Sequence, residues 1–200
     1  MKRRTVIAGA ASAAGVPALS GCLEGGLDSN SDGNGSDENG DESTESAIEL
    51  ATIDAPGSGE GTIRIPSEGQ VQLVNCIRIT CPTSRAMLSR VGEARDELAT
   101  AHEVGPDGDV HVVTVVDEYS GAAPSPAELA DWWAEQNGDW TLAVDEDGAL
   151  FDAYGVTGTP TTLAVDGAGE AHWRDEGGTT AGNLVSGVEE ALEASDGSDG

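Results

Sequence analysis

The chain has 200 residues, and its 37 acidic side chains against 9 Lys or Arg give a formal net charge of −28. A protein this negative repels the phosphate backbone of DNA and RNA, which excludes nucleic acid as a partner. Three cysteines are too few for a disulfide framework, so a single hydrophobic core must stabilise the folded part.

The first 22 residues have the features of an export signal. Three basic residues at 2–4 precede an apolar stretch, 6–19, that is too short to remain as a transmembrane helix. The pair Arg3-Arg4 fits a twin-arginine signal. The following Leu-Ser-Gly-Cys22 resembles the lipobox of bacterial and archaeal lipoproteins, whose cysteine becomes the lipidated N-terminus. We therefore predict a lipid on Cys22 that anchors the protein to the outer face of the cell membrane. The alternative is an ordinary cleaved signal and a secreted protein.

Polar, acidic segments are predicted on both sides of one globular domain at 48–194. Residues 23–47 contain eight acidic residues and almost nothing apolar, so they cannot bury enough surface to offset chain entropy and are predicted to be a disordered linker. Within this linker, Asn34 begins an N-glycosylation sequon. Residues 195–200 form a short acidic tail that is also predicted to be disordered. The acid excess suits concentrated salt, which screens self-repulsion, and we expect a halophilic archaeon as the source.

Hydrophobic periodicity predicts strands that alternate with helices. Alternating or continuous apolar runs predict strands at 62–65, 71–79, 110–116, 140–144, 161–165 and 171–174, with a turn at 166–169. Apolar residues at helical spacing predict helices from about 83 to 102, from a capping box at Ser125 to Gly138, and around Leu184, Val188 and Leu192. This order predicts an α/β fold with a central mixed sheet and helices on both faces.

Cys81 is the candidate nucleophile. It lies between the end of a predicted strand and the start of a predicted helix, where unpaired backbone amides and the helix dipole favour thiolate over thiol. Arg85 follows one helical turn later and is predicted to lower the pKa of the thiol further. Cys76 falls in the middle of the strand, about 16 Å along extended chain from Cys81, and is predicted to be a core residue.

Several segments together resemble the TlpA-type, membrane-anchored members of the thioredoxin superfamily over roughly residues 48–193. They are Gly69 to Cys81, Asp145 to Gly148, Tyr154 to Thr162 and Asp166 to Gly169. The resemblance implies a thioredoxin-like fold in which Pro160 is cis and the backbone of Thr159 docks the partner chain beside the reactive sulfur. It also places Thr80 and Pro82 in the substrate-binding surface.

Two departures from the family pattern bear on function. The redox pair Cys-x-x-Cys is replaced by Cys81-Pro-Thr-Ser84, so the second, resolving thiol is missing. Thr80 replaces the tryptophan that usually precedes the first cysteine, which predicts a smaller and more polar pocket. Ser84 is predicted to donate a hydrogen bond to the sulfur.

The sequence predicts an exported thioredoxin-like protein that exchanges thiols and disulfides with protein partners outside the cytoplasm through Cys81. The alternative is a non-catalytic binding or assembly module that keeps the docking groove. A peroxide-reacting cysteine is a third possibility.

No cofactor or metal site is predicted. The copper-delivering Sco relatives would need a cysteine at the position of Arg85 and a histidine near Pro160. His102, His111 and His172 show no ligand spacing, which predicts solvated or loosely packed roles for all three.

Overall fold

The structure is a computed structural model that describes residues 47–117 and 124–197. The predicted export signal, the lipid acceptor Cys22, the sequon at Asn34 and most of the linker lie outside the described residues, as do the last three residues of the chain. Within the described residues, no helix has the length and apolar character needed to cross a bilayer.

A seven-stranded mixed sheet forms the centre of the domain. Its strands are β1 (Ile48–Thr52), β2 (Gly61–Ile65), β3 (Val71–Ile77), β4 (Val110–Asp117), β5 (Thr141–Asp145), β6 (Thr161–Val165) and β7 (Ala171–Glu176). Their spatial order is β2-β1-β5-β4-β3-β6-β7. The β3–β4 and β4–β5 pairs are parallel, and all the other pairs are antiparallel. Every residue of β3 is buried, as expected for a strand that is covered on both faces.

Helices cover both faces of this sheet. They are α1 (Pro82–Leu98), α2 (Pro126–Glu135), α3 (Ala149–Ala153) and α4 (Ala181–Gly197). One core cluster packs α1, α2 and α4 against the sheet, and its largest fully buried side chain is Trp133. A second cluster joins Leu150 and Phe151 of α3 to side chains of β1 and β2. The predicted α/β class, a mixed sheet with helices on both faces, is therefore confirmed.

Several boundaries differ from those that periodicity predicts. Periodicity does not indicate strand β1 or helix α3. Each has only five residues, which is too few to show a clear apolar pattern. The predicted capping box at Ser125 is present, but α2 ends at Glu135, before the left-handed Asn137. Helix α4 extends to Gly197 and so includes the first three residues of the predicted tail.

Gly187 in α4 lies directly against the ring of Trp173. A Cβ at this position would overlap the indole, whereas a Cβ at Gly182 of the same helix would meet open space. We expect Gly187→Ala to lower the free energy of unfolding by about 1–3 kcal/mol, because the overlap outweighs the gain in helix propensity. Urea unfolding in high salt measures this change.

Gly182→Ala is the matched control and should be neutral or stabilising by up to about 1 kcal/mol. Equal effects of the two substitutions would contradict the close contact between Gly187 and Trp173.

Asp145, the last residue of β5, is a completely buried acid. One carboxylate oxygen accepts a hydrogen bond from Phe151 N at 3.0 Å, while Oδ1 has no hydrogen-bond partner in the part of the chain that the structure describes. Burial raises the pKa of Asp145 above its ordinary value. The folded state therefore favours the protonated acid.

We expect the free energy of unfolding to fall as the pH rises from the ordinary aspartate pKa, about 4, through the raised pKa of the folded state. Below the ordinary value both states carry the proton and the contribution is complete; above the raised value it is lost. Asp145→Asn removes this titration, so the variant should gain stability relative to the natural chain as the pH rises. Urea unfolding at several pH values measures the difference, and a difference that is independent of pH would contradict the assignment.

Candidate active site

Cys81 occupies the N-cap of α1, four residues beyond the end of β3. A turn in which Cys81 N donates to Arg78 O (3.0 Å) reverses the chain, and Pro82 takes the first helical position. Pro suits this position because its missing N–H would have no partner inside the helix. The Cys81 carbonyl accepts from Arg85 N at 3.2 Å and closes the first turn. The thiol is thus held at the positive end of a 17-residue helix and is partly exposed.

The backbone of Thr159 lies beside the sulfur, as the resemblance implied. Cys81 Sγ donates to the carbonyl oxygen of Thr159 at 3.5 Å, and the Thr159–Pro160 peptide bond is cis. The Pro160 carbonyl accepts from Gly177 N at 2.8 Å, which ties this loop to the segment after β7. The structure therefore brings Cys81 to Thr159 and Pro160, although Thr159 lies 78 residues further along the sequence.

Uncharged neighbours lower the pKa of the Cys81 thiol below its ordinary value. The largest influences are the hydroxyl and then the backbone amide of Ser84, followed by the backbone amide of Thr83 and the hydroxyl of Thr159, and they outweigh the opposing effect of partial burial. Hydrogen bonds of this kind stabilise the thiolate at a helix N-terminus.

Ser84, in the first turn of α1, is completely buried. Its Oγ has no hydrogen-bond partner at bonding geometry among the described residues, the sulfur included, so the predicted hydrogen bond is not formed while Cys81 keeps its proton. The thiol proton is instead directed to Thr159 O. We attribute the influence of Ser84 on the pKa to the thiolate form, in which its hydroxyl can turn towards the negative sulfur.

Arg85 is exposed on the outer side of the first turn. Its side chain makes no ion pair or hydrogen bond within residues 47–117 and 124–197, and the groups that lower the pKa of Cys81 are Ser84, Thr83 and Thr159. Arg85 is thus close to Cys81 in the sequence, but its side chain is not among the groups that lower the pKa of the thiol. The electrostatic role of Arg85 stays a prediction.

Short exposed side chains adjoin Cys81 in the sequence. Thr80 and Pro82, both assigned to substrate binding, are exposed on either side of Cys81, and Thr157 is exposed in the loop that precedes Pro160. No aromatic ring takes the place of Thr80. The exposed residues immediately before and after Cys81 are therefore short and uncharged, and the nearest exposed charge later in the helix is Arg85.

Cys76 is the core residue that its mid-strand position predicts. It is completely buried and is not joined to Cys81 in a disulfide. Burial, with a smaller effect of the carboxyl group of Asp145, raises the pKa of its thiol far above the ordinary value. Cys76 is thus unsuited to resolve a disulfide formed at Cys81.

The histidines lie outside this site. His102 pairs with Glu189 (3.0 Å), and His111 bonds Thr141 Oγ1 (2.7 Å). His111 is buried rather than solvated as predicted, and burial lowers its pKa to about 4. Among the described residues, Cys81 belongs to no group of three His, Cys, Asp or Glu side chains with converging ligand atoms.

No protein-family model matches the chain, and no curated protein matches it. Solved structures do match. StoA from Bacillus subtilis is 20% identical, with a TM-score of 0.58 over 72% of this chain and 98% of StoA. The exposed lipoprotein thioredoxin of Streptococcus pneumoniae is 22% identical, with a TM-score of 0.58 over 72% of this chain and 99% of that one. A secreted thiol-disulfide isomerase from Corynebacterium glutamicum is 16% identical, with a TM-score of 0.58 over 76% and 84% of the two chains. At these identities the similarity shows the fold, and the chain has the thioredoxin-like fold.

Proposed function

We propose that this protein is an extracytoplasmic, lipid-anchored thioredoxin-like protein that exchanges thiols and disulfides through the single nucleophile Cys81. The observation that carries the proposal is the placement of the sulfur. It is partly exposed at a helix N-terminus, its pKa is lowered, and it lies 3.5 Å from the carbonyl of the residue before Pro160. A partner disulfide bound against the Thr159–Pro160 loop would lie next to the Cys81 thiolate.

The exchange itself balances without a cofactor. The Cys81 thiolate attacks one sulfur of a partner disulfide, a new S–S bond joins the two proteins, and the other partner sulfur leaves as a thiolate. A second thiol, from the partner or from a small molecule, then attacks this mixed disulfide and releases Cys81. Since Ser84 carries no thiol and Cys76 is buried, the release step depends on a thiol from outside the domain.

Location outside the cytoplasm rests on the sequence of the first 22 residues and on the nature of similar structures. The names of two matching proteins describe an exposed lipoprotein and a secreted isomerase. Both support an exported role for this chain, and Cys22 is the proposed lipid acceptor. Protein thiols and disulfides at the outer face of the membrane are the proposed partners.

A second candidate function is a non-catalytic binding module. The observation that favours it is Ser84, a buried hydroxyl that stands where the resolving cysteine would be. Without that thiol, a mixed disulfide at Cys81 persists until another thiol arrives. On this hypothesis Cys81 only packs against the Thr159–Pro160 loop.

The pH dependence of alkylation distinguishes Cys81 from Cys76, because the pKa is lowered for one thiol and raised for the other. We expect Cys81 to react with iodoacetamide with an apparent pKa below the ordinary cysteine value of about 8.5, because Ser84, Thr83 and Thr159 stabilise its thiolate. Cys76 should stay unmodified in the folded protein because it is buried. Peptide mass spectrometry across a pH series in high salt measures both. A Cys81 that reacts as slowly as Cys76 would favour the binding module.

Restoring the missing thiol tests the exchange mechanism. The natural chain should accelerate exchange of a protein disulfide in excess small thiol, and Cys81→Ala should abolish this effect. Ser84→Cys should additionally let the pre-reduced protein reduce the disulfide without added thiol, since a second thiol in the first turn can resolve the intermediate.

The matched control is Ser89→Cys, which adds a thiol at an exposed position of the same helix, more than one turn further from Cys81. It should lack the gain. If the natural chain and Cys81→Ala are equally slow in excess thiol, catalysis by this protein is refuted.

A further inference from the structure

The turn between β6 and β7 brings together three side chains that the sequence did not indicate as a group. They are Asp166, Glu170 and His172, called here the turn cluster. Each offers one ligand atom, and the three atoms lie within 4.8 Å of one another. Because β6 runs from the Pro160 loop to this turn, the cluster stands at the opposite end of the strand from the Cys81 site.

Two of the three ligands are already held in place. Asp166 Oδ1 accepts from Ala168 N (2.9 Å) and Glu170 N (2.8 Å), which fixes the carboxylate and turns Oδ2 towards the imidazole. His172 Nε2 lies 2.7 Å from Asp166 Oδ2, and the two side chains are only 17% and 11% exposed. A metal ion that replaced the shared proton would gain two preoriented ligands that are shielded from water.

The third ligand lies on the solvent side. Glu170 is exposed, and its carboxylate makes no ion pair within the described residues. The nearest arginine in sequence, Arg174, is engaged elsewhere: it donates to Tyr154 O at 2.7 Å and pairs with Glu176 at 2.8 Å. In the described part of the chain, no arginine forms an ion pair with either of these two neighbouring carboxylates. A divalent cation would balance their charge, with open positions for water on the exposed side.

We propose that Asp166, Glu170 and His172 bind a first-row divalent transition metal ion, for which Zn²⁺ is the probe. An imidazole with carboxylates suits Zn²⁺ and its neighbours in the row, whereas Ca²⁺ and Mg²⁺ prefer oxygen ligands alone. Bound metal would clamp the β6–β7 turn. The proposal is independent of thiol exchange, since β6 separates the two sites.

The test is calorimetric titration of the full chain with Zn²⁺ in high salt, in a background that carries Cys22→Ser and Cys81→Ser and so removes both thiols outside the core as competing ligands. We expect one Zn²⁺ per chain, and a raised unfolding temperature when it is bound. His172→Gln should weaken binding by more than about tenfold. Glu170→Gln should also weaken it, and this exposed position should not perturb folding. Excess Ca²⁺ should not compete.

The matched control is His102→Gln, which removes the other histidine that is paired with a carboxylate. His102 and Glu189 have no third ligand among the described residues, so this variant should bind Zn²⁺ like the parent. Absence of a one-to-one complex would overturn the proposal. So would equal binding by the His172→Gln and His102→Gln variants, since it would show that only scattered surface carboxylates take up the ion.

Discussion

The pairing of β3 with β6 is the constraint on which the rest of the site depends. Cys76 pairs with Thr161 in this register. The end of β3, which leads to Cys81, therefore lies beside the start of β6, which follows Pro160. Because β3 is buried on both faces, slipping by one residue would turn its apolar side chains from one core to the other. A hydrogen bond from Thr162 Oγ1 to the buried Asn75 Oδ1 (3.1 Å) adds a polar contact specific to this register. Cys81 and the Thr159–Pro160 loop thus meet because the buried pattern of β3 favours this alignment.

Activation of Cys81 by uncharged groups suits a protein with so much negative charge. A net charge of −28 opposes the formation of one more anion. The groups that lower the pKa of Cys81 are hydroxyls and backbone amides of Ser84, Thr83 and Thr159, which act by short-range hydrogen bonding. In concentrated salt the influence of an exposed cation such as Arg85 would be screened within a few ångströms, while hydrogen bonds in contact with the sulfur would not. A thiolate stabilised in this way stays activated in the solvent that the composition predicts.

Sequence patterns predicted the parts of the fold that depend on periodicity. Each of these parts is encoded by neighbouring residues, and each is present in the structure. They are the apolar runs of β3 and β4, the apolar stripe of α1 (Met87, Val91 and Leu98) and the capping box at Ser125. The candidate Cys81 follows from its position between a strand and a helix, whereas Thr159 and Pro160 follow from the family resemblance. What local patterns could not show are features created by tertiary contact. The sequence around Asp145 does not indicate that its side chain is completely buried. The turn cluster forms only because the β6–β7 hairpin, whose register is irregular near Val165, brings His172 next to Asp166.

In the proposed exchange, a serine rather than a thiol at position 84 would leave attack and release under different control. Attack would use the Cys81 thiol, whose pKa is lowered and whose sulfur lies 3.5 Å from the Thr159 carbonyl oxygen. Release depends on a second thiol, which the domain lacks within reach because Cys76 is buried. The lifetime of a mixed disulfide at Cys81 is then set by the supply of thiols outside the domain. With abundant thiol such a site turns over as an exchange catalyst; with little thiol the same chemistry yields a lasting covalent complex. Under the proposed function, catalysis and covalent binding are thus two regimes of one nucleophile, and the thiols of the partner would select between them.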